Sequence, residues 1–220
     1  LIVPSLLLAI WAQMMVSSNF KKYSAVYNQG GYTGADAARM ILDSNGLYHV
    51  RIERVSGNLT DHYDPKDEVI RLSDSVYGSA SVAAVGVAAH EAGHAVQHAT
   101  GYIPIKVRSA IIPITQIGSQ LSIPLILMGF LFQFQPLVFA GILFYATAAL
   151  FQLVTLPVEF NASARAMKVL EQSEMLAGDE LTGAGKVLRA AAMTYVAALL
   201  TALAQLLRLI LIFGGRRRDD

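Results

Sequence analysis

Long apolar segments recur along the chain and constrain its fold more than any other feature. Four of them, residues 1–16, 111–134, 137–156 and 190–213, carry almost no charge. A helix of about 20 apolar residues crosses the hydrocarbon core of a bilayer. Only 15% of the residues are charged, against about 25% in soluble domains. One such segment could be a buried core helix, but four of them predict a multi-span, mainly α-helical membrane protein.

The four segments differ in how they would cross the membrane. The first is short for a span, but no basic region precedes it as in a signal peptide, so we predict a transmembrane helix over 1–16. Pro136 lies between the second and third segments, which predicts a transmembrane hairpin over 111–157. A last span is predicted over 190–213, followed by a polar tail over 214–220.

Residues 17–110 are polar enough to form a small α+β domain. Alternating apolar and polar residues indicate strands, whereas apolar residues three or four positions apart indicate helices. The predicted elements are, in order, a helix over 34–44 capped by Thr33, a strand over 49–55, a turn-rich stretch over 56–66, a strand over 68–72, and a helix from a cap at Asp74 or Ser75 to Thr100.

Residues 89–98 carry the motif that indicates chemistry. His90 and His94 are four residues apart, so on a helix both imidazoles lie on one face and can bind the same ion. Zinc accepts neutral imidazoles together with a third protein ligand, and it lowers the pKa of a bound water toward about 7. The motif therefore predicts one Zn²⁺ ion bound by His90 and His94, with Glu91 as the general base.

The third ligand has to come from elsewhere in the chain. His98 lies about 12 Å along the helix from His90, which is too far for one ion. Glu159 is the best candidate, because a lone carboxylate at the end of a membrane segment needs a partner in low dielectric. The alternative is an ordinary acidic residue in the first turn of a helix. We predict that residues 158–189 form a helix that carries the third ligand.

Several other stretches accompany the zinc motif, namely residues 46–48, 59–65, 88–97, 100–102, 150–166 and 191–213. With them, nearly the whole chain resembles the YugP-type neutral zinc metallopeptidases of bacterial membranes. The resemblance implies a gluzincin-like metalloprotease domain over 17–110. It also implies that His90, His94 and Glu159 bind the zinc ion and that Glu91 is the general base.

The residues that would support such a site are less clearly marked. The heat-shock membrane metallopeptidases and prenyl-protein proteases are more distantly similar. In them an aspartate four positions after the ligand glutamate supports a zinc histidine. Ser163 stands at that position here, so we expect another group to orient the histidines, with Asn161 and Asp74 as candidates. His62, Tyr63 and Arg165 are candidates for contacts to substrate or to the transition state, with Arg189 and Tyr195 as further candidates. The alternative for each is a purely structural role, and Arg165 could instead pair with a carboxylate.

The charges beside the spans predict an orientation. By the positive-inside rule, the basic residues on the side of the predicted site place that site in the cytoplasm. These residues are Lys21, Lys22, Lys106, Arg108, Arg165 and Lys168. Three arginines in the tail favour the opposite orientation, namely Arg216, Arg217 and Arg218.

These features predict a zinc endopeptidase in the bacterial plasma membrane that cleaves membrane or membrane-proximal proteins. Expected partners are a protein or peptide substrate and the bilayer, with a membrane-protein regulator or a homo-oligomer in addition. The net charge of +1 and the lack of a basic, aromatic-rich stripe exclude nucleic acid. The chain has no cysteine, which excludes thiolate ligands. The alternative function is a non-catalytic zinc-binding membrane scaffold, in which Glu91 would be dispensable.

Overall fold

The computed structural model describes residues 2–214. Within this range the chain forms six α-helices, three strands and a final π-helical turn. In chain order they are α1 (Ile2–Ser24), α2 (Gly34–Ser44), β1 (Arg51–Val55), β2 (His62–Asp64), β3 (Val69–Ser73), α3 (Val82–Ala99), α4 (Ile103–Leu131), α5 (Gln135–Gln172), α6 (Gly178–Leu209) and the π-helical turn (Ile210–Gly214).

Four of the helices are long and apolar enough to cross a membrane, as the sequence predicts. Large apolar side chains point outward from them, including Leu7, Ile114, Leu143 and Leu211. Water would disfavour a surface of this kind, whereas lipid would not. The fold is therefore mainly α, with four candidate spans beside one small sheet. The apolar stretches are Val3–Ser24, Ile103–Leu131, Gln135–Gln172 and Gly178–Phe213.

The structure corrects the predicted ends of all four spans, and the hairpin predicted from 111 begins with α4 at Ile103. α1 continues past residue 16 to Ser24, and α6 begins at Gly178 rather than at 190. α5 runs unbroken through Pro157, so the predicted separate helix over 158–189 is wrong. Proline removes one backbone hydrogen bond, but membrane helices tolerate this where neighbouring helices pack around them. The tail arginines that favour the opposite orientation lie outside the described residues.

The length of α5 determines where its polar end lies. It has 38 residues, which corresponds to about 57 Å at 1.5 Å per residue, whereas the hydrocarbon core of a bilayer is about 30 Å thick. Glu159 lies about 36 Å along the helix from its start at Gln135. One continuous helix is therefore long enough to cross such a layer and to carry Glu159 beyond it, to the small domain.

The small domain is built on a three-stranded sheet with the order β1-β3-β2. β1 pairs in parallel with β3, and β2 pairs antiparallel with β3, with His62 opposite Arg71. β2 lies inside the stretch 56–66 that the sequence predicts as turns, and this corrects that prediction. A strand of only three residues is too short for alternation to reveal it.

α3 crosses the centre of the domain and is buried on most sides. It begins after Ser81, whose hydroxyl accepts a hydrogen bond from the backbone N–H of Ala84. The predicted start at Asp74 or Ser75 is therefore wrong, because those residues belong to a turn after β3. The predicted cap of α2 is present, since Thr33 and Asp36 form a reciprocal capping box.

Candidate metal centre

Three side chains from two helices converge at the polar end of the spans. His90 and His94 lie one turn apart on α3, and Glu159 reaches them from α5. The Nε2 atoms of the two imidazoles lie 3.3 and 3.5 Å from Oε2 of Glu159. Ligand atoms about 2.1 Å from one tetrahedral ion are about 3.4 Å apart. The spacing of the three groups therefore fits one metal ion.

The environment of Glu159 supports the same conclusion. Its side chain is only 2% exposed, and its Oε2 accepts no hydrogen bond of good geometry from residues 2–214. A buried carboxylate oxygen without a partner is costly. A cation between this oxygen and the two imidazoles would remove the cost. Two imidazoles and a carboxylate are also a donor set that zinc accepts, so the residues fit this ion.

Close packing of α3 on α5 brings the ligands together. A Cβ atom at Gly93 would lie 2.8 Å from the backbone oxygen of Ala162, closer than a methyl group tolerates. Gly93 therefore allows the two helices to approach. It lies next to His94, and Ala162 is close to Glu159 along α5. The absence of a side chain at Gly93 thus sets the separation between the two ligand-bearing helices.

The two imidazoles are oriented by different partners. Nδ1 of His90 lies 3.1 Å from Oγ of Ser163, and Nδ1 of His94 lies 3.0 Å from Oε1 of Gln97. These contacts leave both Nε2 atoms facing Glu159. Ser163 therefore contacts a histidine itself, which corrects the expectation that another group replaces it.

Gln97 determines which ring nitrogen of His94 carries the proton. The side chain of Gln97 is fully buried, and its Nε2 donates to the backbone oxygen of Val158 and to Oδ1 of Asn161. Oε1 of Gln97 must therefore face His94, which makes Nδ1 of His94 the donor and leaves the lone pair of Nε2 available to a metal ion. Asn161 supports His94 through Gln97 rather than directly. The sequence analysis missed Gln97, although it lies three residues after His94.

Two expected site residues lie elsewhere. Asp74 pairs with Arg54 at 2.6 Å and does not reach the histidines. Arg165 donates to Asn161 and lies over the ring of Tyr102. It lines a cavity of about 500 Å³ behind α3, not the cavity beside Glu91. The structure therefore does not bring Asp74 or Arg165 into contact with the candidate metal centre.

Arg108 is a site residue that the sequence analysis counted only as a flanking charge. Its Nη1 donates to Oε1 of Glu159 over 3.2 Å. This hydrogen bond occupies one oxygen of the carboxylate and leaves Oε2 for the histidines. Arg108 lies on α4, far from Glu159 in sequence, so no local pattern indicates the pair.

Glu91 lies between two cavities beside the ligands. The first, of about 250 Å³, is lined by His62, Tyr63, His98 and Arg108 among others. The expected contacts His62 and Tyr63 thus lie near the ligands on β2, whereas Arg189 lines neither cavity. His98 lies against the ring of Tyr63. Tyr195, from α6, lines both cavities.

Asp61 is a second carboxylate near Glu91 that the sequence analysis did not select. It accepts hydrogen bonds from the backbone N–H and the hydroxyl of Ser73, at 2.7 and 3.0 Å. Burial raises the pKa of Asp61, and the hydrogen bonds from Ser73 only partly oppose this effect. Burial also works against a charged His94, yet the adjacent Glu159 and Glu91 leave the pKa of His94 raised. Both groups therefore hold a proton more readily than they would in water.

Comparisons with known proteins agree with this geometry. A protein of Bacillus subtilis (strain 168), named "Putative membrane protease YugP", is 48% identical over 220 residues, which cover 100% of this chain and 98% of that protein. No solved structure matches the chain significantly. A family model with the description "Putative neutral zinc metallopeptidase" matches residues 1–214. The chain therefore belongs to the family that this description names.

Proposed function

We propose that the protein is a membrane-embedded, zinc-dependent endopeptidase with a gluzincin-like site and one Zn²⁺ ion. The observation that carries this proposal is the convergence of His90, His94 and Glu159, with Glu91 beside them in a cavity. The family description and the name of the Bacillus relative both refer to peptide-bond cleavage. Together, the geometry and these names favour an enzyme over a zinc-binding scaffold.

In the proposed reaction, His90, His94 and Glu159 hold the ion. When bound, zinc supplies Lewis acidity that activates water and polarises a peptide carbonyl. Glu91 takes a proton from the attacking water and later delivers it to the leaving amine. Arg108 keeps Glu159 oriented, and Gln97 and Ser163 keep the imidazoles oriented. Tyr195, His62 and Tyr63 are the candidate donors to the developing oxyanion.

We place the substrates among membrane and membrane-proximal proteins. The site lies at the end of α5 that projects beyond the apolar layer, so a soluble peptide has to approach the bilayer surface to reach it. The outward apolar faces of the four candidate spans also offer contact area to a membrane-protein regulator or a second copy of the chain.

Zinc content and proteolysis of the purified protein in detergent test the proposed function. The wild type is compared with Glu91→Gln and Glu159→Gln, using casein and self-cleavage as readouts. We expect Glu91→Gln to keep zinc and lose cleavage, because only the base is removed. We expect Glu159→Gln to lose both. A wild type that binds zinc but cleaves neither substrate would favour the scaffold function instead. A wild type without zinc would overturn the metal site, and a Glu91→Gln variant with full cleavage would overturn the role of Glu91 as the base.

The proposal also places the site in the cytoplasm of a bacterial cell, with the chain in the plasma membrane. The lysines at the end of α1 and the start of α4 support this orientation. Because the natural chain has no cysteine, single cysteines can be labelled selectively. A membrane-impermeant maleimide should label Gln133→Cys, in the turn between α4 and α5, on intact cells and should spare Asp67→Cys. The opposite pattern would reverse the orientation.

A further inference from the structure

Two cavities meet at the candidate catalytic residues. The polar cavity described above has a volume of about 250 Å³, and a second cavity has about 260 Å³. Both are lined by Asp61, His90, Glu91 and Tyr195. A peptide bound at Glu91 would therefore have access to both cavities.

The walls of the two cavities differ in chemistry. The first contains Arg108, His98 and His62, which offer charge and hydrogen bonds. Away from the shared residues, the second is mainly apolar. Its apolar wall consists of Val16, Phe20, Leu59, Val87, Val187 and Leu188. The second cavity is lined largely by α1 and α6, two of the candidate spans, and we call it the α1–α6 cavity.

We propose that the α1–α6 cavity binds a large apolar side chain, such as Leu or Phe, on one side of the scissile bond. This inference rests on the proposed peptidase function and adds the substrate preference of that site. An apolar cavity of about 150 Å³ can hold benzene, so about 260 Å³ is enough for a phenyl group. The polar cavity also has Ile105 and Ile112 on its wall, but its charged and hydrogen-bonding groups make it the less apolar of the two environments.

The position of the cavity explains why this side chain would contribute to turnover. Glu91 and His90 form one end of the α1–α6 cavity, so a side chain held there fixes the neighbouring carbonyl against the base and the metal ligands. One methylene in an apolar pocket changes specificity about 10-fold or more. Replacing Leu or Phe by Ala at this substrate position should therefore lower kcat/KM at least about 10-fold.

A set of fluorogenic peptides that differ at one position beside the cleaved bond tests the inference. The zinc-loaded, full-length protein in detergent is assayed with Ala, Leu, Phe, Lys and Asp at each neighbouring position in turn. Mass spectrometry identifies the bond that is cut. We expect a preference for Leu and Phe over Ala, Lys and Asp of about 10-fold or more at one position.

Two cavity variants and a matched control make the test specific to this cavity. Ala191 lines the cavity from α6, so Ala191→Leu should lower kcat/KM about 10-fold for the Phe peptide and leave the Ala peptide within about 2-fold. Val16→Ala enlarges the cavity and should shift the preference from Leu toward Phe. Ala110→Leu makes the same change at an exposed position of α4 that lines neither cavity, and should change neither value.

Each outcome separates this inference from the proposed function. Cleavage without an apolar preference overturns the α1–α6 cavity as a subsite and leaves the peptidase intact. If Ala191→Leu lowers kcat/KM equally for all peptides while its zinc content is unchanged, the α1–α6 cavity is likewise overturned as a subsite. If Ala191→Leu does not fold, the preference of Val16→Ala between Leu and Phe tests the inference instead. An unchanged preference overturns it. A zinc-loaded wild type that cleaves no peptide or protein removes the proposed function and this inference with it.

Discussion

Gln97 holds His94 in a single tautomer, because Oε1 of Gln97 accepts the Nδ1 proton of His94 over 3.0 Å. Both donors of the Gln97 amide are engaged by Val158 and Asn161, so the amide cannot turn without losing two buried hydrogen bonds. The metal-binding nitrogen of His94 is therefore selected by a side chain one turn further along the same helix.

Replacing Gln97 tests this selection. Gln97→Ala should weaken zinc binding about 10- to 100-fold, the range typical for loss of a group that supports a metal ligand. Competition with a chelator measures the affinity. Gln172→Ala removes an exposed glutamine at the end of α5 and serves as the control. Equal zinc affinity in Gln97→Ala and wild type would contradict the role of Gln97.

The contact between Ser163 and His90 can be tested both by removing it and by strengthening it. Ser163→Ala removes the partner of His90 and should lower zinc affinity about 10-fold or more. Ser163→Asp should retain at least wild-type affinity, because a carboxylate accepts the Nδ1 proton more strongly than a hydroxyl does. The same chelator competition measures both variants. Wild-type affinity in Ser163→Ala would show that the serine contact is incidental.

Replacing Arg108 should lower the free energy of unfolding most when no metal ion is bound. Arg108→Ala removes the hydrogen bond to Oε1 of the buried Glu159 and leaves the two imidazoles as the ion-pair partners of the carboxylate, at a cost of about 1–3 kcal/mol in unfolding free energy. A bound zinc ion neutralises part of this charge, so the loss should be smaller in the zinc-loaded protein. Thermal unfolding with zinc and with chelator measures the difference. Lys106→Ala, an exposed lysine on the same helix, is the control, and an equal loss in both variants would refute the prediction.

Gly93→Ala should separate the two helices that carry the ligands. The added methyl group meets the backbone of Ala162, which cannot move as a flexible side chain would. We expect a destabilisation of about 1–3 kcal/mol together with weaker zinc binding. Gly78→Ala adds the same methyl group where no atom lies within 4 Å and should be nearly neutral. The free energy of unfolding and the zinc affinity of the two variants test whether close packing of α3 on α5 positions the ligands.

Asp61 gives the stability a defined pH dependence. Because burial raises the pKa of Asp61 in the folded protein above its ordinary value of 3.8, folding is favoured below that value and loses this contribution as pH rises through the folded pKa. Asp61→Asn removes the buried charge, so its melting temperature should exceed that of the wild type at pH 7 and approach it near pH 3.8. Melting curves in chelator measure this. A constant difference across pH would rule out titration of Asp61 as the cause.

The sequence correctly predicts those features of the structure that depend on residues close together in the chain. Apolar runs are enough to predict four candidate spans, and the spacing of His90 and His94 is enough to place two imidazoles on one helix face. Glu159 was predicted because a lone carboxylate beside an apolar run has few stable environments. In the structure it lies deep inside α5, so the alternative of an acidic residue in a first helical turn is wrong.

Other features depend on contacts between distant residues. Arg108 meets Glu159 from another helix, and Asn161 meets Gln97 across two helices. No pattern within one segment indicates either pair. The break expected at Pro157 is absent because packing around α5 outweighs the local preference of proline. β2 was missed because a three-residue edge strand carries almost no periodic signal.

The continuity of α5 has a practical consequence for anyone who isolates this protein. A fragment ending at residue 110 would include His90, His94 and Arg108 but would lack Glu159. Glu159 lies on α5, after the turn that joins α4 to α5. No fragment that omits the hairpin can therefore contain all three candidate ligands. If the chain is embedded as proposed, extraction from lipid would act on the candidate metal centre itself, and the choice of detergent would be a variable of every activity measurement.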